Sequence, residues 1–243
     1  MNASTATCIR ALIVLGTALL LGACASAPPS PDWQTNAFAA LGRYSSAYLE
    51  GNTRVADFEF NRAKNEVART GRPELMARIE LVRCALQAAS LDFSACTGYQ
   101  ALAADALPAE QSYADFLAGH WSTLEPDLLP VPYRALVVPG LANCTQPAQT
   151  SGTAAATVPT ISLLEPIKEP VSRLIAASLL LKMKCIAPVD IGLAADTASS
   201  QGWRRPLLAW LGVMHQRAQA SADASAVASL QRRIDVLLQT PAH

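Results

Sequence analysis

The signatures of the common catalytic classes are missing from this chain. It has no Gly-x-Ser-x-Gly elbow, no His-Glu-x-x-His, no glycine-rich phosphate loop and no two histidines at ligand spacing, its three histidines being the scattered His120, His215 and His243. These absences remove the serine-hydrolase, zincin and nucleotide-binding readings. No Cys-x2-Cys pair occurs, so the cysteines do not read as a zinc site, and no cofactor or metal is expected. Lysine is scarce, with only Lys64, Lys168, Lys182 and Lys184, and the formal net charge is zero, which argues against a nucleic-acid partner. No alternating pattern of strand length stands out; the best candidate, Tyr133 to Val138, is bracketed by Pro132 and Pro139. No apolar run reaches the roughly 20 residues of a bilayer span. The run from Ala11 to Leu21 is well short of it.

That run follows one basic residue, Arg10, and so reads as the apolar region of a secretory signal. It ends in Leu21-Gly22-Ala23-Cys24, which resembles the lipobox of bacterial lipoproteins. The resemblance implies cleavage before Cys24 and a diacylglycerol on its thiol. Ala25, where an Asp would retain a lipoprotein at the inner membrane, resembles the default signal for transfer to the outer membrane of Gram-negative envelopes, with the body on the periplasmic face. Residues 1–23 are then signal peptide and 24–31 a proline-rich tether. Extended at about 3 Å per residue, the tether holds the body within roughly 20 Å of the lipid.

The remaining cysteines agree with that compartment. With Cys8 and Cys24 set aside, Cys84, Cys96, Cys144 and Cys185 are an even number in an oxidising space. Three pairings are possible. Pairing Cys84 with Cys96 and Cys144 with Cys185 closes the shorter loops, for roughly 3 and about 4 kcal/mol of chain-entropy stabilisation.

The rest of the chain reads as all-α. After Pro73, Leu75, Ile79, Val82 and Leu86 share one helix face, with Glu74, Arg78, Glu80 and Arg83 expected on the surface, and Val227, Leu230, Ile234 and Leu237 repeat the pattern. Pro73, Pro108, Pro170, Pro188 and Pro206 are placed to open helices at their first position, and Gly51, Gly71, Gly119 and Gly202 to close them. Ala56-x3-Phe60-x2-Ala63, with Tyr48 before it, resembles a tetratricopeptide hairpin, as does Leu211-Gly212-x2-His215 followed by Ala224-x3-Ala228. The resemblance implies helical hairpins packed as a repeat-like, tetratricopeptide-like array. A stretch rich in Thr, Ala, Gln and Ser at 143–160 reads as a flexible loop between an N-terminal helical part, 32–142, and a C-terminal part, 161–240.

Candidate chemistry is thin. His120 reads as a charge at a helix C-terminus rather than a base, and the carboxylate pairs Glu110 with Asp115 and Glu125 with Asp127, which a cell-wall glycosidase would want, read as surface. No catalytic residue is assigned and the chain reads as a non-enzyme. Charge distribution says more. Residues 84–133 hold no Lys or Arg, while Asp92, Asp105, Glu110, Asp115, Glu125 and Asp127 are all acidic. Such a block steers a basic partner, or else meets Arg204, Arg205, Arg217, Arg232 and Arg233 of the 203–233 region inside the fold. Trp203, Arg204 and Arg205 form the candidate binding segment, since two arginines at a helix start oppose the dipole and need a compensating contact. That contact is internal, with Asp196 or the acidic block, or it is an external carboxylate, phosphate or aromatic-acidic peptide.

The stretches 194–212, 51–54 and 70–75 resemble a group of Gram-negative lipoproteins that carry no assigned activity. The resemblance implies lipid anchoring and a helical body. The expected function is an outer-membrane-anchored periplasmic lipoprotein serving as a protein-interaction or scaffold module. It would be held to the membrane through Cys24 and partnered by another envelope protein. The alternatives are a cell-wall-acting enzyme or its activator, and a carrier of a small apolar ligand.

Overall fold

Prolines and glycines punctuate a chain of helices. The computed structural model describes residues 30–137 and 162–239, so the expected signal peptide, Cys24, most of the expected tether, Cys144 and the expected loop at 143–160 lie outside the described residues. Helix α1 runs Asp32–Glu50 and α2 Thr53–Ala68, with Gly51 between them at φ 93°, a left-handed turn that glycine enters without penalty. Pro73 opens α3 (Pro73–Ala89) at the position where its missing amide proton costs nothing. The short α4 (Thr97–Gln100) and then α5 (Pro108–Ala118) follow, α5 ending on left-handed Gly119. Short 3-10 segments come next, the longest of them Val131–Val137, which takes in most of the strand candidate Tyr133 to Val138.

Beyond residue 161 the chain resumes with α6 (Pro170–Lys182), whose first amides, on Val171 and Ser172, donate to the Glu169 carboxylate. Then come α7 (Pro188–Ser200), α8 (Arg204–Ala220) and α9 (Ala224–Gln239). Among the described residues the fold is all-α, with no strand and no helix long and apolar enough to cross a membrane. Pro206 is the one proline displaced from expectation: α8 begins two residues earlier, at Arg204, so the ring occupies its third position.

Three pairs of consecutive helices, α6 with α7, α7 with α8 and α8 with α9, pack together to build the C-terminal half. Alanine makes the close approach possible: Ala176 and Ala177 on α6 and Ala194, Ala195 and Ala198 on α7 are wholly buried. The main core cluster runs from Ala85 through Phe116, Trp121 and Tyr133 to Leu174, Leu179, Trp210 and Leu211, drawing side chains from both sides of residues 143–160. A second cluster joins α1 to α2, where Tyr44 meets Phe60 at 4.9 Å between ring centres, flanked by Ala40, Ala56 and Ala63. Ala56, Phe60 and Ala63 of the first stretch at tetratricopeptide spacing line this cluster, whereas Ala224 and Ala228 of the second are exposed.

Helix α3 departs from its expected amphipathic form. It packs against α2, α4, α5 and α6, and its buried set, Ala77, Ile79, Leu81, Cys84, Ala85, Leu86, Ala88 and Ala89, surrounds most of the helix. Glu80, expected on the surface, is only 2 % exposed. Lys64 of α2 donates to it at 2.7 Å and Arg83 lies 2.5 Å away, so the buried charge is met from two sides. That matters because a buried carboxylate left without its partners destabilises by about 3–5 kcal/mol.

The aromatic core has a signature in alkali. Burial pushes all five tyrosines up: Tyr44, Tyr48 and Tyr99 lie above the usual phenol value, Tyr113 well above it, and Tyr133 reaches about 12. Because the folded state disfavours each tyrosinate, the stability these groups carry is complete below pH 10 and withdrawn as pH rises toward 12. We expect tyrosinate absorbance to appear in one cooperative step that coincides with loss of helical circular dichroism above pH 10. Non-cooperative ionisation near 10 of the folded chain would contradict the packing described.

Candidate functional site

Trp203, Arg204 and Arg205 come together with helix ends rather than with carboxylates. Arg205 Nε donates to the Tyr48 carbonyl at 2.6 Å and Nη2 to Thr53 Oγ1 at 2.9 Å, while its guanidinium lies 4.3 Å from the Tyr48 ring centre. Arg204 Nε donates to the Leu237 carbonyl at 3.0 Å. Tyr48 and Leu237 stand in the last turns of α1 and α9, where the helix dipole concentrates negative charge. Two cations at the wrong end of their own helix therefore serve the right ends of two others, and Trp203 packs between both core clusters. The expected partners, Asp196 and the acidic block, are replaced by backbone.

Three of the acidic block's six carboxylates meet partners from outside the 203–233 region. Glu110 is buried against Arg78, Asp127 faces Arg134 at 3.4 Å and Asp115 faces His120 at 3.4 Å; among the described residues no ion pair joins the block to Arg204, Arg205, Arg217, Arg232 or Arg233. The conceivable carboxylate pairs do not form an enclosed acid pair. Glu110 is committed to Arg78 while Asp115 is exposed, and both Glu125 and Asp127 are exposed. Among the described residues no group of three or more His, Cys, Asp or Glu side chains is placed to hold a metal ion.

The feature with the geometry of a site is a groove of about 300 Å³ beside the Cys84–Cys96 disulfide. Its Cα atoms stand 5.8 Å apart, and the bond ties the end of α3 to the start of α4, forcing residues 92–96 into a wall. Asp92 shapes that wall by accepting hydrogen bonds from the amide of Ser94, at 3.0 Å, and from its hydroxyl. Phe93 stands 40 % exposed at the rim. Opposite lie Asp115 and Ala118 of α5, and Lys182 reaches in from α6, donating to the Ala118 carbonyl at 3.1 Å and covering the Phe93 ring at 5.4 Å.

The electrostatics of the groove are negative. Asp92 and Asp115 line it, and the C-terminal turns of α3 and α5, through Ala88 and Ala118, deliver further partial negative charge. The only cation in the lining, Lys182, is occupied by a carbonyl and an aromatic face. Tyr99, whose hydroxyl is pushed up first by burial and then by Asp115 and Glu110, reports the same field. Such a groove suits a cationic group on an apolar stem. The sequence signal for it was the 12-residue cysteine spacing inside the cation-free block; Phe93 and Lys182 carried none, since Lys182 arrives from a distant helix.

Cys185 is buried, and its expected partner Cys144 lies outside the described residues, as does Cys24.

Two substitutions check these assignments. Arg205→Ala is expected to lower stability by roughly 2 kcal/mol, from a charge-assisted hydrogen bond and a helix-end charge, read as a shift of the urea midpoint. Arg205→Lys should recover only part of it, because an ammonium cannot serve the carbonyl, the hydroxyl and the ring together. The Cys84→Ser, Cys96→Ser pair is expected to cost about 3 kcal/mol while leaving helix content intact. Unchanged midpoints in either case would contradict the contacts. Comparison with models of protein families, with curated proteins and with solved structures finds no match for this chain.

Proposed function

We propose that this chain is a protein-interaction module of the Gram-negative envelope, anchored in the outer membrane by a lipid on Cys24, whose groove beside Cys84–Cys96 receives a basic segment of another envelope protein. The observation that carries the reading is the coincidence of the groove with residues 84–133, which contain no Lys or Arg and six carboxylates. Two helix C-termini and two aspartates leave the groove seeking positive charge, and the exposed Phe93 offers a face for the stem of an arginine or lysine. The Cys84–Cys96 bond supports an oxidising compartment, where such bonds persist. The lipobox-like Leu21-Gly22-Ala23-Cys24 supports the anchor.

The anchor and the groove are tested separately. Cys24→Ala should abolish incorporation of labelled palmitate and move the chain from the membrane to the soluble fraction; retained labelling would overturn the anchor. A photo-crosslinker at position 94, on the wall of the groove, should give one defined adduct in intact envelopes. Asp92→Asn with Asp115→Asn should cut its yield about tenfold, as expected for one half-buried and one exposed charge. An adduct indifferent to these substitutions and to salt would overturn the groove as the contact.

A further inference from the structure

The last described helix is covered on one side. Along its 16 residues α9 buries a single side chain, Leu230, and it packs chiefly on α8, which leaves its outer face to solvent. Arg232 and Arg233 on that face flank the line of Val236, three and four residues further on, and all three are exposed, Val236 by 64 %. The face therefore offers two cations beside one apolar side chain.

Positive charge accumulates at this end of the fold. Residues 204–239 hold five arginines against two aspartates, Asp223 and Asp235. Asp223 accepts hydrogen bonds from the Ser225 hydroxyl and the Ala226 amide, and Asp235 accepts one from Gln231. Among the described residues Arg217, Arg232 and Arg233 meet no carboxylate.

The groove beside Cys84–Cys96 holds the opposite set. Asp92, Asp115 and the ends of α3 and α5 outweigh Lys182, the one lysine or arginine in its lining, and Phe93 gives its rim an apolar face. Lys182 places α6 at the groove, and the packing order α6, α7, α8, α9 sets two helices between it and the basic face. Two surfaces of opposite charge thus stand apart on a chain of zero net charge, and their complementarity is left for a second molecule.

We propose that, where its heterologous partner is absent, the groove of one copy receives α9 of a second copy, with Arg232 and Arg233 on Asp92 and Asp115 and Val236 against Phe93. The inference rests on the groove's being a receptor for positive charge and names a further occupant of it. Because the two surfaces differ, the contact is heterologous: copies join head to tail, closing into a ring or running on as the rotation between them dictates.

Sedimentation of the full chain tests this. At low salt the mean mass should rise with concentration to that of a dimer or beyond, and about 0.5 M salt should return it to monomer. Arg232→Gln with Arg233→Gln should weaken association about tenfold or more with an unchanged melting curve, both side chains being exposed, and Asp92→Asn with Asp115→Asn should weaken it as much. Mixed in equal amounts, the two variants should form one-to-one dimers and nothing larger, because each keeps the surface that the other has lost. A chain that stays monomeric at every concentration, association indifferent to either pair of substitutions, or no dimer from the mixture would each overturn the proposal. A position-94 adduct with a different protein in intact envelopes, from a chain that is monomeric when pure, would overturn the second copy as an occupant and leave the groove as a receptor; absence of both would remove both.

Discussion

Glu80 is a full negative charge with almost no water around it, and much of the N-terminal half is arranged to keep it satisfied. Lys64 and Arg83 supply the counter-charge, and both cations also lie over the Phe60 ring, at 5.7 and 4.9 Å. One carboxylate therefore links α3 to α2 and, through Phe60, to the α1–α2 core. It also dictates the residue at 98. A Cβ at Gly98 would run into the Glu80 carboxylate and the Arg83 guanidinium, so α4 can lie against α3 only if that position has no side chain. Cys96 is two residues away. The buried charge, the glycine and the disulfide thus form a sequence of constraints that ends in the wall of the groove.

The same economy appears at the helix ends. The last turns of α1 and α9 present backbone carbonyls, and Arg204 and Arg205 reach one in each from the start of a single helix. Their own unfavourable position on the α8 dipole is outweighed because each guanidinium can serve a carbonyl of another helix, and Arg205 a hydroxyl and a ring as well. The arginines therefore tie α1 and α9 to α8, and the segment that looked most like an external binding motif belongs to the internal architecture.

What could be read from the sequence was what acts locally. Pro73, Pro108, Pro170 and Pro188 open helices and Gly51, Gly71, Gly119 and Gly202 close them, because the missing amide and the permitted positive φ are properties of single residues. The Cys84–Cys96 pairing followed from loop length. Glu80 was misplaced because helical periodicity assumes one buried face, whereas α3 is enclosed by four other helices. The partners of Arg204 and Arg205 were misassigned because a backbone carbonyl has no letter in the sequence. Phe93 and Lys182 acquire their roles only where distant segments meet.

The absence of cations from 84–133 is where charge along the chain becomes charge in space. Arg78 and Arg83 precede that span and Arg134 follows it, and α3 runs across the change: its earlier turns carry the arginines, while its last turns, from Cys84 to Ala88, wall the groove. The helix dipole works in the same direction, since the negative end of α3 faces the groove. The arginines of its earlier turns are each met by a carboxylate, Arg78 by Glu110 and Arg83 by Glu80, so it is at the negative end of α3, beside the groove, that charge is left for a partner to meet.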